Sequence, residues 1–405
     1  MTRPWDIDLT SLTLFRDGFP HDAFRWLRRE APVWWHRPTA STPDGEGFWV
    51  VSRHADVLGV FQDPETFSSE RGGSRAQGGT LIADSPAAGV MLNMMDDPRH
   101  ARIRQLVNKG FTPRMIQGLT PELRRRTRHI LDAAAAAREV DFVRDVAREL
   151  PLQAICMLLG IPQHDRVRLC DWVDASLEYM DGDGVASREG AAGLARYSEQ
   201  LVAEKRQSPG EDVYSVVIHA ELPDQDPPRL TDDELRNFFF LLFAAGSETT
   251  RKAIAGGLRE LVLRPEQMER LRRDPALLPV AIEEIVRWTT PSVYKRRTAT
   301  RDTVLCGEKI RAGDKVTVWE MSANHDEGVF GNPFDFDVGR DPNPHLGFGF
   351  GMHYCLGASL ARLEMRLLFE ELLPRFPVIE LIGPATYTRD NRLFGLKHLP
   401  VRLSS

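Results

Sequence analysis

The stretch from Phe348 to Gly357 reads F-x-x-G-x-x-x-C-x-G, and it restricts the fold more than any other part of this 405-residue chain. Its glycines permit tight turns and a close approach of the backbone to something flat. A helix is expected from Gly357 to about Leu373, and its positive end would face the Cys355 sulfur and favour the thiolate. The other reading of Cys355 is an inert cysteine packed as a small apolar side chain. On the first reading the chain must build a helical frame that presents one thiolate to a planar group.

The frame is legible upstream. Thr231-Asp232-Asp233-Glu234 has the form of a capping box with acids in the first turn. The helical pattern then runs to about Arg264, where Pro265 stops it. Such a helix is roughly 50 Å long at 1.5 Å per residue, enough to cross the molecule. Within it lies Ala244-Ala245-Gly246-Ser247-Glu248-Thr249-Thr250, whose small residues at 245 and 246 would let a ligand lie against the backbone. Glu248 has two readings: an i,i+4 pair with Lys252 on a solvated face, or a buried carboxylate with a function or a partner.

Residues from Pro98 to about Leu373 read mostly as helix. Val33–His36 and Phe48–Val51 suit a hairpin across Pro43-Asp44-Gly45, and strand signals return between Thr298 and Met321. The expectation is one unit over residues 1–405, with a β-rich part at about 30–70 and 292–322 and helices in the remainder. Segments 71–90 and 181–194, rich in Gly, Ser and Ala, read as loops over a site.

A net charge of −6 argues against nucleic acid as a partner. Cys156, Cys170, Cys306 and Cys355 have no C-x-x-C spacing, which suits a reducing, cytoplasmic setting. Charges interrupt the first thirty residues, so neither a signal peptide nor a membrane anchor is expected.

Two further motifs complete the set. Asp97-Pro98 opens a helix on which His100 and Arg104 share a face beside Ile103, Leu106 and Val107. Two cationic donors beside an apolar stripe suit carboxylates at the rim of a buried hydrophobic group; a surface cluster has the same spacing. Glu284 and Arg287 stand in an E-x-x-R array, close enough to pair within a helix.

These motifs, in this order, resemble the cytochrome P-450 family over nearly the whole chain. The resemblance implies a mainly α fold with a minor β region and a long central helix crossing a haem. It implies heme b with Cys355 as the iron ligand, and Phe348, Gly349, Gly357 and Ala245 beside the cofactor. His100, Arg104, Arg297 and His353 would meet the propionates. Glu248 and Thr249 match the acid–alcohol pair that feeds protons to dioxygen, and Arg340 matches the third partner of Glu284 and Arg287. Leu241, Leu242, Ala245, Val293 and Phe394 would line the substrate pocket. Asn343–Phe348, Glu248–Arg251 and Arg296–Ala299 are similar to the actinobacterial branch that hydroxylates sterol side chains and branched lipids.

The implied activity is hydroxylation of an apolar organic substrate (sterol, fatty acid, terpenoid or polyketide) with O2. The two electrons would come from a separate ferredoxin and its reductase, and the protein would be a monomer. A peroxide-driven peroxygenase commonly lacks the Glu/Thr pair, and a haem sensor or carrier needs no proton relay. Lys295 departs from the apolar residue usual in that branch. It would pair with a propionate, or project into the pocket to anchor an acidic substrate.

Overall fold

The computed structural model describes residues 7–73, 75–177, 185–222 and 228–404. Helix dominates. The central helix runs Asp232–Leu263 with Thr231 as N-cap, and both hydrogen bonds of the capping box are made. Its residues Leu235, Phe239, Phe243, Ile254, Leu258 and Leu261 are buried in the largest apolar cluster. Helices Glu149–Leu159, Leu278–Thr289 and Ala358–Arg375 bury side chains in the same cluster.

The expected hairpin forms, with Val33 opposite Val51 and His36 opposite Phe48. It belongs to a five-stranded sheet in the order Val33–His36, Phe48–Val51, Lys315–Val318, Lys295–Ala299, Phe67–Ser68. The only parallel pairing in that sheet joins Phe48–Val51 to Lys315–Val318. Strand Lys295–Ala299 alternates its side chains, so Lys295 and Arg297 share a face.

Three expectations need correction. The part read as mostly helix also carries strands: Pro400–Ser404 lies between Glu139–Asp141 and Val378–Leu381, and Thr386–Tyr387 pairs with Leu396–His398. These strands are short, and Pro400–Ser404 finds one partner, Glu139–Asp141, far away in sequence. The β-rich span 30–70 contains the helix His54–Gln62. Within 181–194, residues 181–184 lie outside the described residues, but from Val185 onward the chain is helix rather than loop. Gly190 and Gly193 serve helix contact there: a Cβ at Gly190 would meet the Trp172 carbonyl at 2.5 Å, and one at Gly193 would meet the Trp172 ring at 2.6 Å.

No described helix is long and apolar enough to cross a membrane.

Candidate active site

The cysteine loop is shaped by its glycines. Gly349 and Gly351 have φ of 70° and 71°, the left-handed region that side-chain-bearing residues rarely adopt. Between them and the sulfur is one 3₁₀ turn, Gly351–His353. The Cys355 N–H donates to the Phe348 carbonyl at 2.9 Å, and the Gly357 N–H donates to the sulfur. The Phe348 ring lies under the Arg362 guanidinium, 4.4 Å from its carbon. Cys355 is exposed, yet protein surrounds it as it would an interior group; its sulfur therefore opens on a recess. Burial raises the thiol's pKa, while the Gly357 N–H and the charges of Lys295, Arg104 and Arg362 pull it down.

Positive groups gather beside this loop. His100 and His353 have ring centroids 4.3 Å apart, and the Nε2 of each is buried without a hydrogen-bond partner. Both are pushed towards the neutral form, chiefly by burial; Arg297 and Arg104 add to this at His353. Arg297 is buried and donates to the Arg296 carbonyl at 2.9 Å. No carboxylate among the described residues lies within ion-pair distance of it. Burial lowers its pKa to about 10, against the attraction of Glu320 and Asp96. Arg104 donates to the Tyr354 carbonyl, which ties its helix to the cysteine loop.

On the central helix, the Thr249 hydroxyl donates to the Ala245 carbonyl at 2.8 Å. Ala245 is exposed although Ala244 beside it is buried, so this face opens on accessible space. Gly246 does not share that role. A Cβ there would meet Ile155 Cδ1 at 3.0 Å, so its smallness serves helix packing. Glu248 is buried, with Oε2 2.5 Å from Arg251 and 3.7 Å from Lys252. The pair with Lys252 exists, but the solvated face does not: Lys252 is also buried and donates to the Leu393 carbonyl.

The loop is anchored from behind by the E-x-x-R array. Glu284 and Arg287 are fully buried. Arg287 Nε and Nη2 reach the Glu284 carboxylate at 2.7 and 2.8 Å. Arg340 Nε reaches it at 3.1 and 3.2 Å, and Asn343 Nδ2 at 3.1 Å. Arg287 Nη1 also donates to the carbonyls of Asn324 and Pro333.

The sequence model of the cytochrome P450 family matches residues 152–403. "Putative cytochrome P450 126" of Mycobacterium tuberculosis is 54% identical over 402 residues, covering 98% of this chain and 97% of the relative. The chain belongs to the cytochrome P450 family. The methyl-branched lipid omega-hydroxylase of M. tuberculosis is 38% identical, with 98% and 95% coverage. A Mycobacterium marinum cytochrome P450 solved with pseudoionone superposes with a TM-score of 0.91 at 36% identity, covering 99% of this chain and 100% of that one.

As a P450 the protein is a monooxygenase that binds heme b, O2, an apolar substrate and redox partners. Its residues fit that cofactor. His100 Nε2 and His353 Nε2 are buried polar atoms without partners and Arg297 is a buried cation without an ion pair; the two haem propionates would supply charge for Arg297 and, with a proton on each imidazole, acceptors for the two Nε2 atoms. Gly349 leaves room at the loop, since a Cβ there would find nothing closer than 3.7 Å.

Three of the expected pocket residues are buried in apolar clusters of this P450. Val293 and Phe394 are buried in one cluster with Phe15 and Trp319, and Phe394 stacks on Tyr387 at 5.2 Å. Leu242 is buried in the main core, whereas Leu241 and Ala245 remain accessible. Lys295 takes a protein partner, Glu320 Oε2 at 2.5 Å. Glu320 is fully buried and its Oε1 has no partner. Sequence reasoning missed Glu320, Asp174 and Arg362. Only the last left a signal, as a cation one turn into the helix after the cysteine.

Proposed function

We propose that this P450 hydroxylates an unactivated C–H bond of a branched lipid or sterol-like substrate, with two electrons delivered by a ferredoxin and its reductase in the cytoplasm. Haem b, when bound, supplies the redox chemistry that activates O2. Cys355 is its thiolate ligand, kept at the loop tip by Gly357 N–H and nearby cations. His100, Arg104, Arg297 and His353 hold the propionates. Thr249 and Glu248 deliver protons from the central helix, and Leu241 and Ala245 present apolar surface to the substrate. The three-way array of Glu284, Arg287 and Arg340 fixes the loop.

One observation carries the reading: buried imidazole nitrogens without partners beside a recessed cysteine, with an acid and an alcohol adjacent on the central helix. The substrate class draws support from relatives named methyl-branched lipid omega-hydroxylase (38% identical) and steroid C26-monooxygenase (37% identical). The test is a screen of branched fatty acids, sterols, terpenoids and polyketides for spectral shifts at the iron, followed by turnover with NADH, a surrogate ferredoxin pair and ¹⁸O2. One labelled oxygen in a hydroxylated lipid is expected. Product formed only with added peroxide would replace this reading with a peroxygenase.

A further inference from the structure

A second carboxylate faces Glu248 from another helix. Asp174 lies on Arg166–Leu177, and one oxygen each of Asp174 and Glu248, together with Cys170 Sγ, lie within 4.8 Å of one another. Arg251 bridges them, with Nη2 2.5 Å from Glu248 Oε2 and 3.3 Å from Asp174 Oδ1, and Nη1 3.3 Å from Asp174 Oδ2. Since Arg251 already supplies a positive charge at the centre of this group, the geometry is that of a carboxyl pair rather than a metal cage. Side-chain exposure rises outward, from 3% at Glu248 through 12% at Arg251 to 31% at Asp174. Glu248 Oε1 is buried and unpartnered.

Resting on the monooxygenase reading, we propose that Asp174 is the outer proton station of this P450: it shares one proton with Glu248 and reloads it from solvent. Two carboxylates this close cannot both ionise cheaply, so the pair holds a single proton. That proton resides on Glu248, whose pKa is raised by burial and by Asp174 despite Arg251 and Lys252. Asp174 stays ionised: burial raises its pKa, but Arg251 and Arg148 outweigh it. Two other titratable groups face the pair: Cys170, whose thiol is kept protonated by burial, and Lys252, 3.7 Å from Glu248 Oε2, whose pKa burial lowers against the attraction of Glu248. In each cycle Glu248 releases its proton towards Thr249, and the ionised pair takes up one from solvent through Asp174. The proton count balances, and Arg251 steadies the transient double charge.

The test separates this inference from the monooxygenase reading. Infrared spectra of the haem-loaded protein at neutral pH should show, beside the band of Glu364, whose pKa burial raises well above the ordinary value, a second buried protonated carboxyl band that is lost in E248Q and shifted in D174N. NADH-driven O2 consumption with a surrogate ferredoxin pair should fall about tenfold in D174N, less than the ~10²–10⁴-fold of a general acid–base group because water can bypass an outer station. Its solvent isotope effect should rise, and D174E should restore both. A second band absent from the wild type, or unmoved in D174N, overturns the shared proton. Equal rates and isotope effects in D174N and wild type overturn the relay. If the wild type consumes no O2, the monooxygenase reading fails while the infrared band still decides the pair.

Discussion

Replacing Glu284 by alanine tests the scaffold behind the cysteine loop. The carboxylate accepts from Arg287, Arg340, Asn343 and the Asp337 N–H, so its loss removes every one of these bonds at once. Arg287 stays fully buried and holds only backbone carbonyls, an uncompensated charge. Breaking a buried pair in this way costs roughly 3–5 kcal/mol. That is a large share of the 5–15 kcal/mol typical of a folded protein and lowers the folded-to-unfolded ratio by roughly two to three and a half powers of ten. With a urea slope of about 3 kcal/mol/M, the unfolding midpoint should fall by about 1 M or more. Haem retained after expression should fall with it, since Arg340 and Asn343 lead into the loop. Glu284→Ala protein with an unchanged midpoint and full haem content would refute the reasoning.

Thr249→Ala should keep haem and substrate binding but divert NADH-derived electrons to hydrogen peroxide; unchanged coupling of NADH to product would remove Thr249 from proton delivery. Lys295→Met leaves Glu320 buried with Arg297 as its nearest cation, and should cost about 1–3 kcal/mol in denaturant unfolding. The double variant with Glu320→Gln should recover most of that loss, whereas selective loss of acidic-ligand binding would return Lys295 to the role of substrate anchor. Glu283 accepts from Arg362 and His345, joining the chain on either side of Cys355. Burial raises its pKa, but these bonds bring it down to about 2 from an ordinary 4.5. Its stabilisation is therefore complete above 4.5 and lost as pH falls through about 2. Thermal midpoints in Glu283→Gln should lack that part of the acid dependence.

The sequence was most legible where one local rule decides an outcome. The capping box at Thr231 and Pro265 bounded the central helix to within a residue, and E-x-x-R placed Glu284 against Arg287 through helical spacing alone. What stayed hidden depends on tertiary contact. Gly246 looked like a ligand seat because nothing local announces Ile155 across from it. Val293 and Phe394 are apolar enough for either pocket or core, and nothing local announces their packing with Phe15 and Trp319. Glu320 meets Lys295 because Lys295 pairs with Val318 in the sheet, a register invisible to a single strand. Asp174 faces Glu248 across two helices, and neither helix carries a mark of the other.

The account rests on Cys355 as a thiolate ligand to haem, and the carbon-monoxide difference spectrum of the reduced, haem-loaded protein addresses that directly. The wild type should give the strongly red-shifted band that only a thiolate donor produces, and Cys355→Ser should abolish it. A wild-type spectrum without that band, or a Cys355→Ser spectrum that keeps it, would contradict the assignment of the iron ligand.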